Sequence, residues 1–237
     1  MYKKRIADDL LVRKLAGKGA VLIEGPKWCG KTTTAARQAK SMLDLGDSEV
    51  LRESRSMMEI DSKRLLEGKT PRLIDEWQTI PSLWDSIRSM VDKRGLPSQF
   101  VLTGSSVLPE ASETVHSGTG RIGRLRMRPM SLFESGESNG SVSLKDLFDG
   151  KEMEAEENKL SIDDIAYLAC RGGWPAAVLL KGEVALDQAL DYVDSVADYD
   201  IQRVDGVKRD PQRVRRLMRS YARNIAAQVS YGTFKAD

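Results

Sequence analysis

The sequence predicts an α/β protein: a parallel sheet covered by helices on both faces, followed by a small all-helical subdomain. Three observations predict it. A β-type apolar run, Ala20 to Glu24, leads straight into a glycine-rich loop and the start of a helix. Further apolar runs that end in polar residues alternate downstream with stretches of helical period. Beyond Glu134 the strand-like runs stop and only helical spacing recurs.

Taken in order, Ile6 to Ala16 reads as a leading amphipathic helix with Ile6, Leu10, Leu11 and Leu15 inward. Ala20 to Glu24 is a buried strand, and a helix follows the glycine-rich loop from Thr32 to about Lys40. Ser41 to Leu45 suits a second strand, and Leu51 to Leu66 a helix closed by Glu67-Gly68-Lys69-Thr70-Pro71. Arg72 to Glu76 is a strand ending in two carboxylates, and Pro81 to Asp92 a helix with Trp84 in the core. Gln99 to Ser106 is another buried strand, and Leu125 to Met130 a candidate for the last one. Four strands alternating with helices give the parallel sheet. Glu137 to Ser143 is a polar linker, and Gly150 to Lys159 is acidic and apolar-poor. Ser161 caps a helix to Cys170, Arg171-Gly172-Gly173-Trp174-Pro175 breaks it, and Pro175 opens the next. Leu186 to Val204 and Val214 to Val229 continue the helical spacing. The expected domains are 1–135, a sheet-bearing core; 136–160, an acidic linker; and 161–237, a helical C-terminal region.

With 237 residues, 41% of them apolar, the chain is long enough to bury a proper core. It holds no apolar run long enough to span a membrane. The amino terminus, MYKKRIADDLLVRKL, lacks the apolar core of a secretion signal, and Cys29 and Cys170 form no disulfide or metal framework. A reducing cytoplasm is the simplest compartment. The net charge of +2 hides a gradient. Glu134 to Asp164 carries ten acids against three lysines, whereas Arg203 to Arg223 carries eight basic residues against two acids. Such asymmetry marks a solvated helix, intramolecular complementarity, or a nucleic-acid face.

Gly25 to Thr32 fits G-x-x-x-x-G-K-S/T, the phosphate-binding loop. Gly25 and Gly30 let the backbone turn so that successive amides face an anion, and Pro26 stiffens the entrance. Lys27, Cys29 and Thr33 contribute loop and helix-start amides, Lys31 brings a point charge, and the Thr32 hydroxyl suits magnesium. The oxidation-sensitive reading of Cys29 competes with that of an inert loop residue. Asp75 is the second magnesium candidate, and Glu76 the candidate to polarise an attacking water. Thr103 or Ser105 is placed to sense the terminal phosphate, although a strand cap explains either. Arg121 and Arg124 are candidates to donate charge to the γ-phosphate, with surface pairing the alternative. His116 has no partner in sight and receives no role.

Gly25-Pro26 with Gly30-Lys31-Thr32, Leu73 to Gln78, Leu102 to Ser106, Gly120-Arg121 before Pro129-Met130-Ser131-Leu132, and Gly172-Gly173-Trp174-Pro175 occur in that order. The ordered set resembles the bacterial and archaeal AAA-type ATPases of the AAA_14 family with a DUF4143 C-terminal region, over about residues 1 to 230. The resemblance implies an AAA+-like P-loop NTPase core of the ASCE class and a helical lid. It implies ATP and Mg2+ as cofactors, and Gly173-Trp174-Pro175 resembles the GxP motif of STAND ATPases, which would set Pro175 against the adenine. By the same resemblance Thr103 or Ser105 is sensor 1 and Arg121 the arginine finger. Family members usually continue beyond the point where this chain stops, at Asp237, which reads as a shortened or degenerate copy. The function expected is ATP hydrolysis that drives a conformational switch, toward a protein partner or another copy. A DNA-associated ATPase using the Arg203 to Arg223 face is the alternative, and a small-molecule kinase lacks an acceptor pocket.

Overall fold

The computed structural model describes residues 2–104, 118–154, 156–157, 159–203 and 206–236. These divide into two compact units, 1–159 with 173–175, and 160–172 with 176–237. Among the described residues no helix is long and apolar enough to cross a membrane.

The first unit is built on a five-stranded, all-parallel sheet of order β2-β3-β4-β1-β5, with β1 at Ala20–Glu24, β2 at Ser41–Asp44, β3 at Arg72–Asp75, β4 at Phe100–Gly104 and β5 at Ile122–Arg126. The central strands read as continuous apolar runs because both faces are covered. Their period of two sorts them cleanly. Ala20, Leu22, Ile74, Phe100 and Leu102 face one core, where the helix Leu83–Arg94 (α4) adds Leu83, Trp84, Ile87 and Val91. Trp84 lies in that core, its ring 5.0 Å from that of Trp77. Val21, Ile23, Leu73 and Val101 face the other core, against Leu11 and Leu15 of the helix Ile6–Gly17 (α1) and Ala35 of Lys31–Ala36 (α2). The helix Ser48–Leu65 (α3) packs on the α4 side, kinked at Asp61.

Three expectations are corrected. The sheet has five strands, and the last runs Ile122–Arg126 instead of starting at Leu125. An edge strand tolerates outward arginines, and the exposed Arg124 and Arg126 hid the alternation. Ile6 is half exposed; the inward face of α1 is Ala7, Asp8, Leu11 and Leu15. Asp8 turns inward because its carboxylate accepts the Arg5 amide at 2.8 Å and the Tyr2 hydroxyl at 2.7 Å. Finally, α2 ends at Ala36, since the Lys40 amide must reach the Pro71 carbonyl, at 2.8 Å, to enter β2.

At the carboxyl edge of the sheet the amino-terminal arm is locked by a buried ion pair. Arg5 Nε donates to Glu134 Oε1 at 3.0 Å, with side-chain exposures of only 4% and 8%. Glu134 also accepts the Ile6 amide at 2.8 Å and the Ser131 amide at 2.9 Å, so it caps both α1 and the short helix Leu132–Ser135 (α5). The stretch 136–160, expected as a plain linker, holds a further short helix, Leu144–Phe148 (α6), started by the Ser143 hydroxyl.

The second unit is helical: Ile162–Arg171 (α7), Pro175–Val178 (α8, whose first residue belongs to the first unit), Glu183–Asp198 (α9), Pro211–Arg223 (α10) and Tyr231–Ala236 (α11). Ser161 and Asp164 form a reciprocal capping box at the start of α7. Arg215 grips Asp194 at 2.6 Å and Asp198 at 2.8 Å, which joins α10 to α9. Tyr221 stacks on Phe234 at 4.7 Å.

Burial alone would push the Glu134 carboxyl up, but the Ser131 and Ile6 amides and the Arg5 guanidinium hold it below the ordinary glutamate value. Its contribution to stability is therefore present at neutral pH and lost as pH falls through that depressed value. Glu134→Gln should cost about 1.5–3 kcal/mol at pH 7, the worth of charge-assisted hydrogen bonds. Urea unfolding at stepwise lower pH should show the gap from wild type closing, and a constant gap would contradict the assignment.

Candidate functional site

The loop between β1 and α2 is shaped by two backbone constraints. Trp28 and Gly30 take left-handed conformations, at φ 62° and 96°, so the chain curls through Lys27 to Lys31. Gly25 has no room for a side chain, because a Cβ there would run into the Met127 carbonyl. That carbonyl is held in place as its own residue's amide bonds Glu24 at 2.7 Å. Cys29 points away from the curl into the core beneath it, fully buried, so it offers the loop only main-chain groups. Burial pushes its thiol up, against the pull of Lys31 and Arg5, which supports the inert reading. Lys31 is buried as well, and its ammonium donates to the carbonyls of Gly25 at 3.0 Å and Pro26 at 2.8 Å. Thr32 and Thr33 follow in the first turn of α2, whose amides have no intrahelical acceptor.

The carboxylates arrive from β3. Because all strands run the same way, the end of β3 and the end of β1 share one edge of the sheet, with β4 between them. Asp75 is buried and accepts the Thr32 hydroxyl at 3.0 Å and the Thr103 hydroxyl, at the end of β4, on the same oxygen. Thr32 and Asp75, the two magnesium candidates, thus lie together, while the Thr103 hydroxyl, expected to sense a terminal phosphate, is spent on Asp75. The donors are hard oxygens, which fits magnesium, an ion that keeps most of its shell as water and phosphate. Among the described residues no group of three or more His, Cys, Asp or Glu side chains could hold a metal by itself.

Glu76 sits one residue beyond the strand in a left-handed conformation, φ 52° and ψ 41°, which is uncommon for a glutamate. The turn is locked by Thr79, whose amide and hydroxyl both donate to the Glu76 carbonyl, at 3.0 and 2.9 Å. Gln78 donates to the Glu76 carboxylate, and its Oε1 occupies the space a Cβ on Gly104 would need. Gln78 thereby stretches from Glu76 to the end of β4, a role with no signal in the sequence.

Pro175 lies against the loop: a Cβ built on Gly30 would stand 3.6 Å from its ring. Trp174 donates its indole N–H to the Lys27 carbonyl at 3.2 Å, and the Gly173 carbonyl accepts the Met130 amide at 2.6 Å. A side chain at Gly173 would strike the Met130 carbonyl, so only glycine fits.

Arg121 is not part of this cluster. Its carbonyl accepts the Ala20 amide at 3.3 Å, which puts it at the amino edge of the sheet, whereas the loop leaves the carboxyl edge. A strand of five residues, rising about 3.3 Å each, separates the two. Its guanidinium is held by Asp92 at 2.8 Å. Arg121 therefore does not reach the phosphate loop of its own chain. Arg124 pairs with Glu24 at 2.9 Å on the edge strand. Ser105 and His116 lie outside the described residues. Sequence reasoning missed Arg5, whose guanidinium is buried behind the loop and bonds the Cys29 carbonyl at 2.8 Å. No motif announces it.

A parallel sheet with a phosphate loop after β1, and a carboxylate from the strand beyond β4, defines an AAA-type nucleotide-binding domain. Residues 17–135 match the AAA_14 family of AAA domains, and the chain belongs to that family. Residues 162–237 match a domain of unknown function, DUF8612, where the sequence had suggested a DUF4143 region. The uncharacterized proteins Rv2008c of Mycobacterium tuberculosis and Mb2031c of Mycobacterium bovis are each 28% identical over 140 residues, which is 58% of this chain and 31% of theirs. The match thus takes in about a third of those relatives' length. The Walker-type ATPase PABY2304 of Pyrococcus abyssi shares the fold, with a TM-score of 0.54 at 14% identity, covering 99% of this chain and 87% of that one.

Gly25→Ala should force the loop away from Met127 and weaken Mg·ADP binding at least about tenfold, or ~1.4 kcal/mol. Calorimetry checks this, and unchanged affinity would show that the close approach is not needed.

Proposed function

We propose that the chain binds Mg·ATP and hydrolyses it, using the nucleotide state as a conformational switch toward a protein partner or a second copy. The observation that carries the reading is the convergence of Thr32, Asp75 and Thr103 beside the Lys31 loop. Residues 1–135 would form the ATPase core, 136–160 the linker and 161–237 the helical C-terminal region. The amides of Gly25 to Thr33 would hold the phosphates, with Lys31 exchanging its two loop carbonyls for phosphate oxygens. Thr32 and Asp75 would hold magnesium, whose chemistry there is to neutralise charge on the β- and γ-oxygens. Thr103 pins Asp75 through its hydroxyl. Glu76 would take the hydrogen bond of the attacking water on its carboxylate, in the orientation that its turn and Gln78 impose.

Pro175, beside Gly30, would offer the adenine a flat apolar face, as in the GxP motif it resembles. Contacts of Trp174 and Pro175 with the loop support the switch, since a ligand in the loop bears directly on a segment that leads into the helical region. Arg121 would act only on a neighbouring copy, so turnover of an isolated chain would be slow, by about 10³–10⁵ where that charge is missing.

A second reading is favoured by α10. Arg213, Arg216, Arg219 and Arg223 are all exposed and recur at intervals of three or four residues along one face, while Arg215 is committed to α9. That stripe suits a phosphate backbone.

Lys31→Ala should abolish nucleotide binding in calorimetry; unchanged affinity would remove the loop from the function. Glu76→Gln should keep ATP bound and unhydrolysed, and wild-type turnover would exclude Glu76 from the mechanism. Duplex DNA titrated at two salt concentrations separates the readings: steep salt dependence with stimulated hydrolysis supports the DNA-associated ATPase, and no binding at low salt rejects it.

A further inference from the structure

We infer that Arg5 is a positioning residue for the phosphate loop: by holding the Cys29 carbonyl on the core side, it aims the Gly30 amide at the polyphosphate. The inference rests on the nucleotide reading above and adds to it a residue far away in sequence.

Arg5 is buried, and each of its nitrogens has a separate partner. Nε donates to Glu134 Oε1 at 3.0 Å, Nη1 to the Cys29 carbonyl at 2.8 Å, and Nη2 to the Arg128 carbonyl at 2.8 Å. Arginine–carboxylate pairs frequently form two parallel bonds. Here both Nη groups go to backbone, on two different segments. The Cys29–Gly30 peptide is trans, since the one cis peptide among the described residues is Thr70–Pro71. In a trans peptide the C=O and the next N–H point in opposite directions within one rigid plane. Drawing the Cys29 oxygen toward the guanidinium therefore turns the Gly30 N–H away from it. Gly30 accepts this because it is a glycine, free to take the left-handed φ of 96° that the turn requires.

Arg5 is itself immobilised. Its amide donates to Asp8 Oδ2 at 2.8 Å, and the next amide, of Ile6, donates to the same Glu134 oxygen that Arg5 grips. The bond to Arg128 fixes the strand exit that leads to Met130, whose amide holds Gly173 at 2.6 Å. One guanidinium thus sets both the loop and the segment that carries Trp174 and Pro175. A lysine has no planar fork and can satisfy only part of this set.

The test is calorimetric titration of the full chain with Mg·ADP, alongside thermal unfolding. Arg5→Gln should raise Kd at least tenfold, with Arg5→Lys in between. Leu15→Ala, which loosens the same helix without touching the loop, should lower Tm comparably yet leave Kd within twofold. Unchanged affinity in Arg5→Gln, or an equal Kd change in Leu15→Ala at equal loss of Tm, overturns the inference. Wild type that fails to bind Mg·ADP would instead remove the nucleotide reading itself. Should Arg5→Gln not fold, the crystal structure of the wild type with Mg·ADP decides. Gly30 N within hydrogen-bond reach of a phosphate oxygen, with Arg5 still on Cys29, supports the role, and a Gly30 amide turned elsewhere ends it.

Discussion

The hydrogen bond from Thr32 to Asp75 ties the helix that follows the glycine-rich loop to the end of β3, and the organisation of the first unit follows from it. Asp75 ends β3, and Thr32 lies in the first turn of α2, which the loop joins to β1; the two strands do not touch, because β4 runs between them. Neighbouring strands stand about 4.8 Å apart, so the loop and the start of α2 carry Thr32 across roughly 10 Å between the axes of β1 and β3. At the end of β4 the buried Thr103 adds its own hydroxyl to the same carboxylate. A parallel sheet is what puts all three strand ends on one edge.

Around this edge the protein holds charge in buried places, and each charge is answered locally. Lys31 lies on loop carbonyls, Asp75 on two hydroxyls, and Arg5 on Glu134 and two carbonyls. Burying an ion is costly unless hydrogen bonds or an opposite charge offset the hydration it loses. Glu134 shows the principle well, with amides from two helix starts and a guanidinium on one carboxylate. The amino-terminal arm, the loop and the strand exit are therefore one electrostatic unit, although they are scattered along the chain.

The charge gradient along the sequence has a similar, local resolution where the structure describes it. Glu134, at the head of the acidic stretch, pairs with Arg5, and Arg215, in the basic stretch, pairs with Asp194 and Asp198 of the adjacent helix. The remaining arginines on α10 stay exposed on one face. A net count of charges could not have separated the arginine that builds the helical unit from those that leave it.

By itself the sequence determined the loop, the core strands and the helix caps. Those features are encoded in neighbours: the glycine spacing of Gly25 and Gly30, the unbroken Ala20 to Ile23 run, the Ser161 to Asp164 box. The tertiary structure alone decided that Arg121 stands at the far edge of the sheet, that Ile6 faces outward while Asp8 faces in, and that Arg5 braces the loop. Arg121 depends on which strand lies beside which, Arg5 on Glu134, a partner more than a hundred residues away, and Asp8 on hydrogen bonds from Arg5 and Tyr2 that leave no periodic trace. Periodicity reports the environment of a residue through its neighbours, and a single buried charge has no period.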